Sequence, residues 1–292
     1  MSDKPDSTEQ SFAGQPFAGQ LSAEQSPLGQ HVDYDTDYDP ALLFAIPRSE
    51  GRTRLGLVEP LPFRGWDIWN AYELSWLDAR GKPQVAWGEF EIPAHSPNIV
   101  ESKSFKLYLN SFNQHRFDSA ASVAQTIHRD VSACVGAPVD VQVHLPGDWA
   151  RGTLVEPAGD CLDDLDIDIA HYTPQPGLLR VAAPTIDSRQ VFSRLLRSRC
   201  PVTGQPDWGA VVIAYTGPLI DPAGLLAYIV SFRQHQDFHE QCVERMFGDI
   251  LARCAPTELT VYARYLRRGG LDINPYRSTH ATRPPNPRLF QQ

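Results

Sequence analysis

The chain matches itself at a constant spacing of 120 residues: Tyr108 with Tyr228, Ser111 with Ser231, Phe112 with Phe232, Gln114 with Gln234, His115 with His235, Val123 with Val243 and Cys134 with Cys254. Trp87-Gly88 meets Trp208-Gly209 after one residue of slippage. A long-period self-match constrains a fold strongly, because the second half must build what the first half builds. In the first copy, residues 66–76 alternate as a strand, 79–83 hold the turn residues Gly81 and Pro83, and 84–92 return as a second strand. Phe105, Tyr108, Leu109 and Phe112 fall at i, i+3, i+4 and i+7, one stripe of an amphipathic helix. A helix over 119–135 and a strand over 139–145 complete the unit. The second copy keeps the order. An extended segment near Cys200 leads through a turn to a strand over 208–215. A helix then opens at Asp221-Pro222, an N-cap with Pro at the first helical position, and carries Leu225, Tyr228, Ile229 and Phe232 on its stripe. A helix over 238–254 and a strand over 259–265 follow. The expected architecture is α+β, with a β-β-α-α-β module in each of 31–165 and 166–292 and a linker within 146–188 that carries the acidic run 163–168. Residues 1–30, rich in Gln, Ser, Gly and Pro, hold too little apolar surface to offset their ordering entropy and read as a disordered tail. Residues 34–57 read as loop.

The formal net charge is −9, from 35 acidic against 26 basic residues. Nucleic-acid binders displace counterions with Lys and Arg, so no nucleic acid is expected as the main partner and a small molecule fits better. Five cysteines without a CxxC pair argue against a disulfide framework and for a reducing compartment. No apolar run approaches the roughly 18 residues of a membrane span, and the N-terminus lacks the basic-then-apolar order of a secretory signal. A cytoplasmic chain with no membrane partner is the expectation.

The copies differ at polar positions. Cys200 falls where the first copy has Leu77, Asp78 or Ala79, and Asp207 follows it by seven residues across a turn rich in Pro and Gly. Arg197 and Arg199 precede the thiol, and nearby positive charge favours the reactive thiolate. His239-Glu240 falls where the first copy has Ser119-Ala120, and Glu101-Ser102-Lys103 where the second has Asp221-Pro222-Ala223. That asymmetry suits one site built from both halves. Plainer readings stand beside it. Cys200 also reads as core filler beside a turn Asp. Asp237 and Glu240 have the spacing of a capping box; His239 shares a face with Cys242 and Met246 as a buried histidine does; Glu101 favours the positive end of a helix. Cys134, Cys242 and Cys254 read as core. Arg267-Arg268-Gly269-Gly270 offers guanidiniums and glycine N–H groups to a phosphate, or is only a turn. No GxGxxG follows a strand, so a dinucleotide, if bound, does not use the Rossmann arrangement.

From about Asp33 to Arg277 the chain resembles the NADPH-dependent 7-cyano-7-deazaguanine reductases, the nitrile reductases of queuosine biosynthesis, in their long two-module form. Four motifs carry the resemblance: 101–106 (ESKSFK), 200–209 (CPVTGQPDWG), 238–245 (FHEQCVER) and 267–275 (RRGGLDINP). It implies a tunnelling fold, two ferredoxin-like modules whose antiparallel sheets curve into a barrel on oligomerisation, here as a homodimer. It implies that Cys200 adds to the nitrile carbon to form a covalent thioimide and that Asp207 donates the proton to nitrogen. Val100, Glu101, Ser102, His239 and Glu240 would hold the deazaguanine, and Ser102, Lys103, Arg268 and Gly269 would contact NADPH, with no metal. The chemistry is coherent, since a nitrile accepts hydride poorly until a thiolate has added to it. Two other readings stay open. One is a zinc cyclohydrolase of pterin type, with Cys200, His239 and Cys242 as ligands; the other is a purine- or pterin-binding module without turnover.

Overall fold

The computed structural model describes residues 37–147 and 153–292. The expected tail, with Asp33 and Asp35 beyond it, lies outside the described residues. In chain order the elements are β1 (Ala45–Pro47), α1 (Arg48–Arg54), β2 (Arg64–Leu77), β3 (Pro83–Pro93), β4 (Asn98–Val100), α2 (Ser102–Asn110), α3 (Ala120–Val135), β5 (Asp140–His144), β6 (Asp160–Cys161), β7 (Val181–Arg199), β8 (Pro206–Ile220), α4 (Pro222–Ser231), α5 (His239–Cys254), β9 (Glu258–Tyr265) and β10 (Leu271–Ser278). The succession β2-β3-α2-α3-β5 recurs as β7-β8-α4-α5-β9.

Eight strands form one sheet in the order β5-β3-β2-β10-β9-β8-β7-β6, antiparallel except where β6 meets β7. The two repeated units do not touch edge to edge. β10 lies between them, paired with β2 along its whole length and with β9 only over Tyr276–Ser278. Each unit has its own apolar core under its helices: Trp69, Phe90, Phe105, Tyr108 and Val123 in the first, Leu196, Val211, Tyr228, Val243 and Phe247 in the second. The repeated letters on the helices are core positions. Tyr108 packs edge-on against Phe112 at 5.1 Å, and Tyr228 against Phe232 at 5.4 Å. Ser111 and Ser231 each donate back to the carbonyl of that tyrosine at 2.6 Å.

Backbone hydrogen bonds align the copies more finely than the letters do. Leu77 donates to the His115 carbonyl and accepts from Phe117, and Arg199 does the same with His235 and Asp237. Cys200 therefore stands where the first copy has Asp78. Asp78 closes its turn by donating to Lys82, Cys200 by donating to Gln205, so the second turn is longer by one residue. Both hairpins bulge at the same point, between Ala71 and Leu74 and between Ser193 and Leu196. In this register Asp207 aligns with Gln84 and Trp208 with Val85, so the Trp87–Trp208 match is a coincidence of letters.

Residues 34–57 are not all loop, for they carry β1 and α1. The sequence of α1, RSEGRTR, has no apolar stripe, and Arg48 and Arg52 hold the helix down through buried ion pairs instead. β10 also escapes a pattern reading. Its Asp272, Asn274 and Arg277 are buried, and Pro275 argues against an interior strand. Pro275 is tolerated where the ladder to β9 has already parted.

Candidate active site

The parting of β9 and β10 opens a cleft of about 570 Å³, counting its mouth. Both units line it: Trp69, Val100, Ser102 and Lys106 from the first, Cys200, Asp207, His239 and Glu240 from the second, with Arg268 on the connection into β10 and Leu271 at the strand's start. Cys200, on the turn after β7, is buried, and its Sγ accepts from the Thr203 N–H at 3.5 Å. Asp207 is buried near the start of β8, opposite Ser198 of β7. One of its oxygens faces His239 Nε2 at 3.4 Å and the other Arg268 Nη1 at 3.3 Å. The His239 ring lies flat on Tyr265, centroids 3.7 Å apart and planes 5° from parallel, which fixes the imidazole at the acid.

Phe238 is the N-cap of α5 and gives no side-chain cap bond, so the capping box of Asp237 and Glu240 does not form. Asp237 Oδ1 accepts from the Phe238 N–H at 3.1 Å, and the carboxylate lies 3.6 Å from both Arg54 and His235. Glu240 is left facing the cleft, 3% exposed and without a side-chain hydrogen bond or ion pair to another described residue. Burial, and then the negative charge of Asp67, push its pKa up to about 7, against the pull of Arg48 and His239.

Glu101 behaves otherwise. It is the N-cap of α2, accepting from Lys103 N–H at 2.7 Å and Ser104 N–H at 2.8 Å. Burial raises its pKa, and those bonds oppose the rise. Glu101, Lys103 and Gly269 are not among the residues that line the cleft. Lys106, the last residue of ESKSFK, does line it. Burial lowers its pKa, Arg268 adds to the effect, and Glu101, Asp207 and Cys200 oppose it. Its place was legible: it lies four residues after Ser102, on the same face of α2.

The turn between β9 and β10, with Lys106 beside it, fits an anionic dinucleotide. Gly269 and Gly270 have φ of +55° and +75°, and a Cβ on Gly269 would come within 3.3 Å of the Lys106 side chain. Arg268 Nη1 is buried without a hydrogen bond, beside Asp207. For zinc, no group of three or more His, Cys, Asp or Glu among the described residues is placed to hold a metal. Cys242 lies instead against Ser198 and Tyr265 in the core, where burial pushes its thiol well up.

Two family models match this chain: "Nitrile reductase, 7-cyano-7-deazaguanine-reductase N-term" over residues 34–143 and "QueF-like protein" over 206–284. The class they define is that of the nitrile reductases. An NADPH-dependent 7-cyano-7-deazaguanine reductase from Bordetella pertussis is 56% identical over 91% of this chain and 97% of its own length. One from Burkholderia ambifaria is 57% identical over 93% of this chain and 100% of its own length. The chain belongs to the 7-cyano-7-deazaguanine reductase family.

Proposed function

We propose that this chain reduces the nitrile of 7-cyano-7-deazaguanine (preQ0) to the aminomethyl group of 7-aminomethyl-7-deazaguanine (preQ1), with NADPH as reductant, in queuosine biosynthesis. The observation that carries this reading is the meeting of one thiol, Cys200, and one buried acid, Asp207, in a cleft that Glu240 also faces. In the reading, the Cys200 sulfur bonds to the nitrile carbon while the nitrile nitrogen takes a proton from Asp207, giving a thioimide. The thiol proton returns to the Asp207 carboxylate, so this step consumes nothing. His239 and Arg268 hold Asp207 from either side, and the Thr203 N–H donates to the sulfur. Bound NADPH would supply the two hydrides that, with two protons, take a nitrile to an amine, and Cys200 would leave the carbon as its thiol on the way. Ser102, Lys103, Arg268 and Gly269, joined by Lys106, would hold the cofactor. A guanine-like edge offers N–H donors, which Glu240 accepts beside Val100, Ser102 and His239. Glu101 joins them through the lone pairs its cap leaves unused.

The same reading makes 31–165 and 166–292 the modules of a tunnelling fold that closes into a barrel as a cytoplasmic homodimer. Its support is an open sheet face: Val85 and Ile186, opposite the core neighbours Ala86 and Val191 on their strands, are 60% and 62% exposed.

NADPH oxidation that depends on added 7-cyano-7-deazaguanine tests the function. Intact-mass measurement of the wild type with the nitrile alone should show a covalent adduct. Cys200→Ala should lose the adduct and about 10³-fold or more of turnover, and Asp207→Asn about 10²–10⁴-fold. A wild type that forms no adduct counts against the thioimide.

A further inference from the structure

A ring of buried charges stands behind the cleft. Arg48 on α1 meets Asp67 on β2 at 2.5 Å, and the other Asp67 oxygen meets Arg277 on β10 at 2.8 Å. Arg277 meets Glu244 on α5 at 2.9 Å, and Glu244 holds Arg52, back on α1, at 2.8 Å. All five side chains are buried and none lines the cleft. Three guanidiniums face two carboxylates, an excess of one positive charge. The ring holds α1 down, yet burying so many ions rarely adds stability over apolar residues of the same volume, which leaves room for a second task.

Glu240 is the neighbour that gives the ring a task. It lies four residues before Glu244, so the two carboxylates share a face of α5. Glu244 is held by Arg52 and Arg277, whereas Glu240 is turned to the cleft. Arg48 and Asp67 are the ring members whose charges act on Glu240, with opposite sign. We propose that the Arg48–Asp67 pair, locked by Arg277, Arg52 and the Glu244 that shares a face of α5 with Glu240, sets the field in which Glu240 accepts hydrogen bonds from the substrate. The inference rests on the reading of this cleft as the substrate site. The other charged or titratable groups lining the cleft are His239 and Asp237 at the start of α5, Lys106 on α2, Cys200 and Asp207 on the hairpin, and Arg268 after β9; the cap Glu101 of α2 does not line it, but its charge acts on Lys106. Asp67→Asn changes none of these.

The test is the pH dependence of KM for the nitrile and of kcat, between about pH 5 and 9. In the wild type KM should rise as pH falls through about 7, as Glu240 takes a proton and loses an acceptor. Asp67→Asn removes a repelling charge and should move that midpoint down by about one pH unit; Arg48→Gln removes an attracting charge and should move it up by about as much. The double variant should return to within about half a unit of the wild type, with the limb of kcat unmoved in all three. A purely structural role would not send the two single variants in opposite directions. Midpoints that stay put, or that move the same way, overturn the proposal. Arg48→Gln leaves Asp67 paired with Arg277, so it decides alone if Asp67→Asn fails to fold: an upward shift sustains the proposal and an unmoved midpoint ends it. Nitrile-dependent NADPH oxidation by the wild type with unmoved midpoints would sink this inference and leave the function standing; no such oxidation would sink the function.

Discussion

A carboxyl that is buried without a partner favours its proton, and this has a price at Glu240 that can be measured. Its pKa stands at about 7 in the fold against an ordinary 4.5. The folded state therefore binds the proton more tightly, so stability falls as pH rises from about 4.5 to about 7 and changes little above that. Glu240→Gln should remove the loss. We expect its melting temperature at pH 8 to exceed that of the wild type by several degrees, at about 2–4 °C per kcal/mol, and the gap to close near pH 4.5. The same variant should bind the nitrile at least tenfold more weakly, because the amide offers fewer acceptors. Equal melting temperatures at pH 8 would show that the carboxylate is better solvated than its burial implies. Cys200, Asp207, His239 and Glu240 were legible because one copy of the repeat lacks them. Whether Asp237 and Glu240 formed a capping box was not, since cap and recognition site call for the same residue types at the same spacing. Lys106 carries no such signal, because a lysine in a helix ordinarily reads as solvated.

At the scale of elements, helices and hairpins announced themselves through apolar period, whereas α1 and β10 did not, because both are held by polar groups. On β10, Asn274 Oδ1 accepts from the Tyr265 N–H at 3.1 Å and from Gln292 Nε2 at 2.9 Å, and Gln292 Oε1 accepts from Arg264 at 3.0 Å. Tyr265 carries the His239 ring, so this polar web lies one residue from the acid. Asn274→Ala should strand buried donors and cost about 1–3 kcal/mol. Denaturant unfolding should show a lower midpoint at an unchanged slope, and turnover should fall with it as His239 loosens. Loss of stability without loss of turnover would separate the web from the site.

For the whole molecule, the repeat predicted two like units, and it could not foretell that β10, which follows the repeated elements of the second, would join them. The open sheet face carries the prediction at this scale. Native mass or light scattering should find a dimer, and Val85→Glu with Ile186→Glu should shift it toward the monomer; a wild-type monomer at micromolar concentration would refute the assembly. β10 has a consequence for how the protein is made. β10 follows both halves in the chain and is the keystone between them, so until it leaves the ribosome the nascent chain presents two open sheet edges and a thiol facing half a cavity. Competence should therefore appear all at once, when this strand slots home.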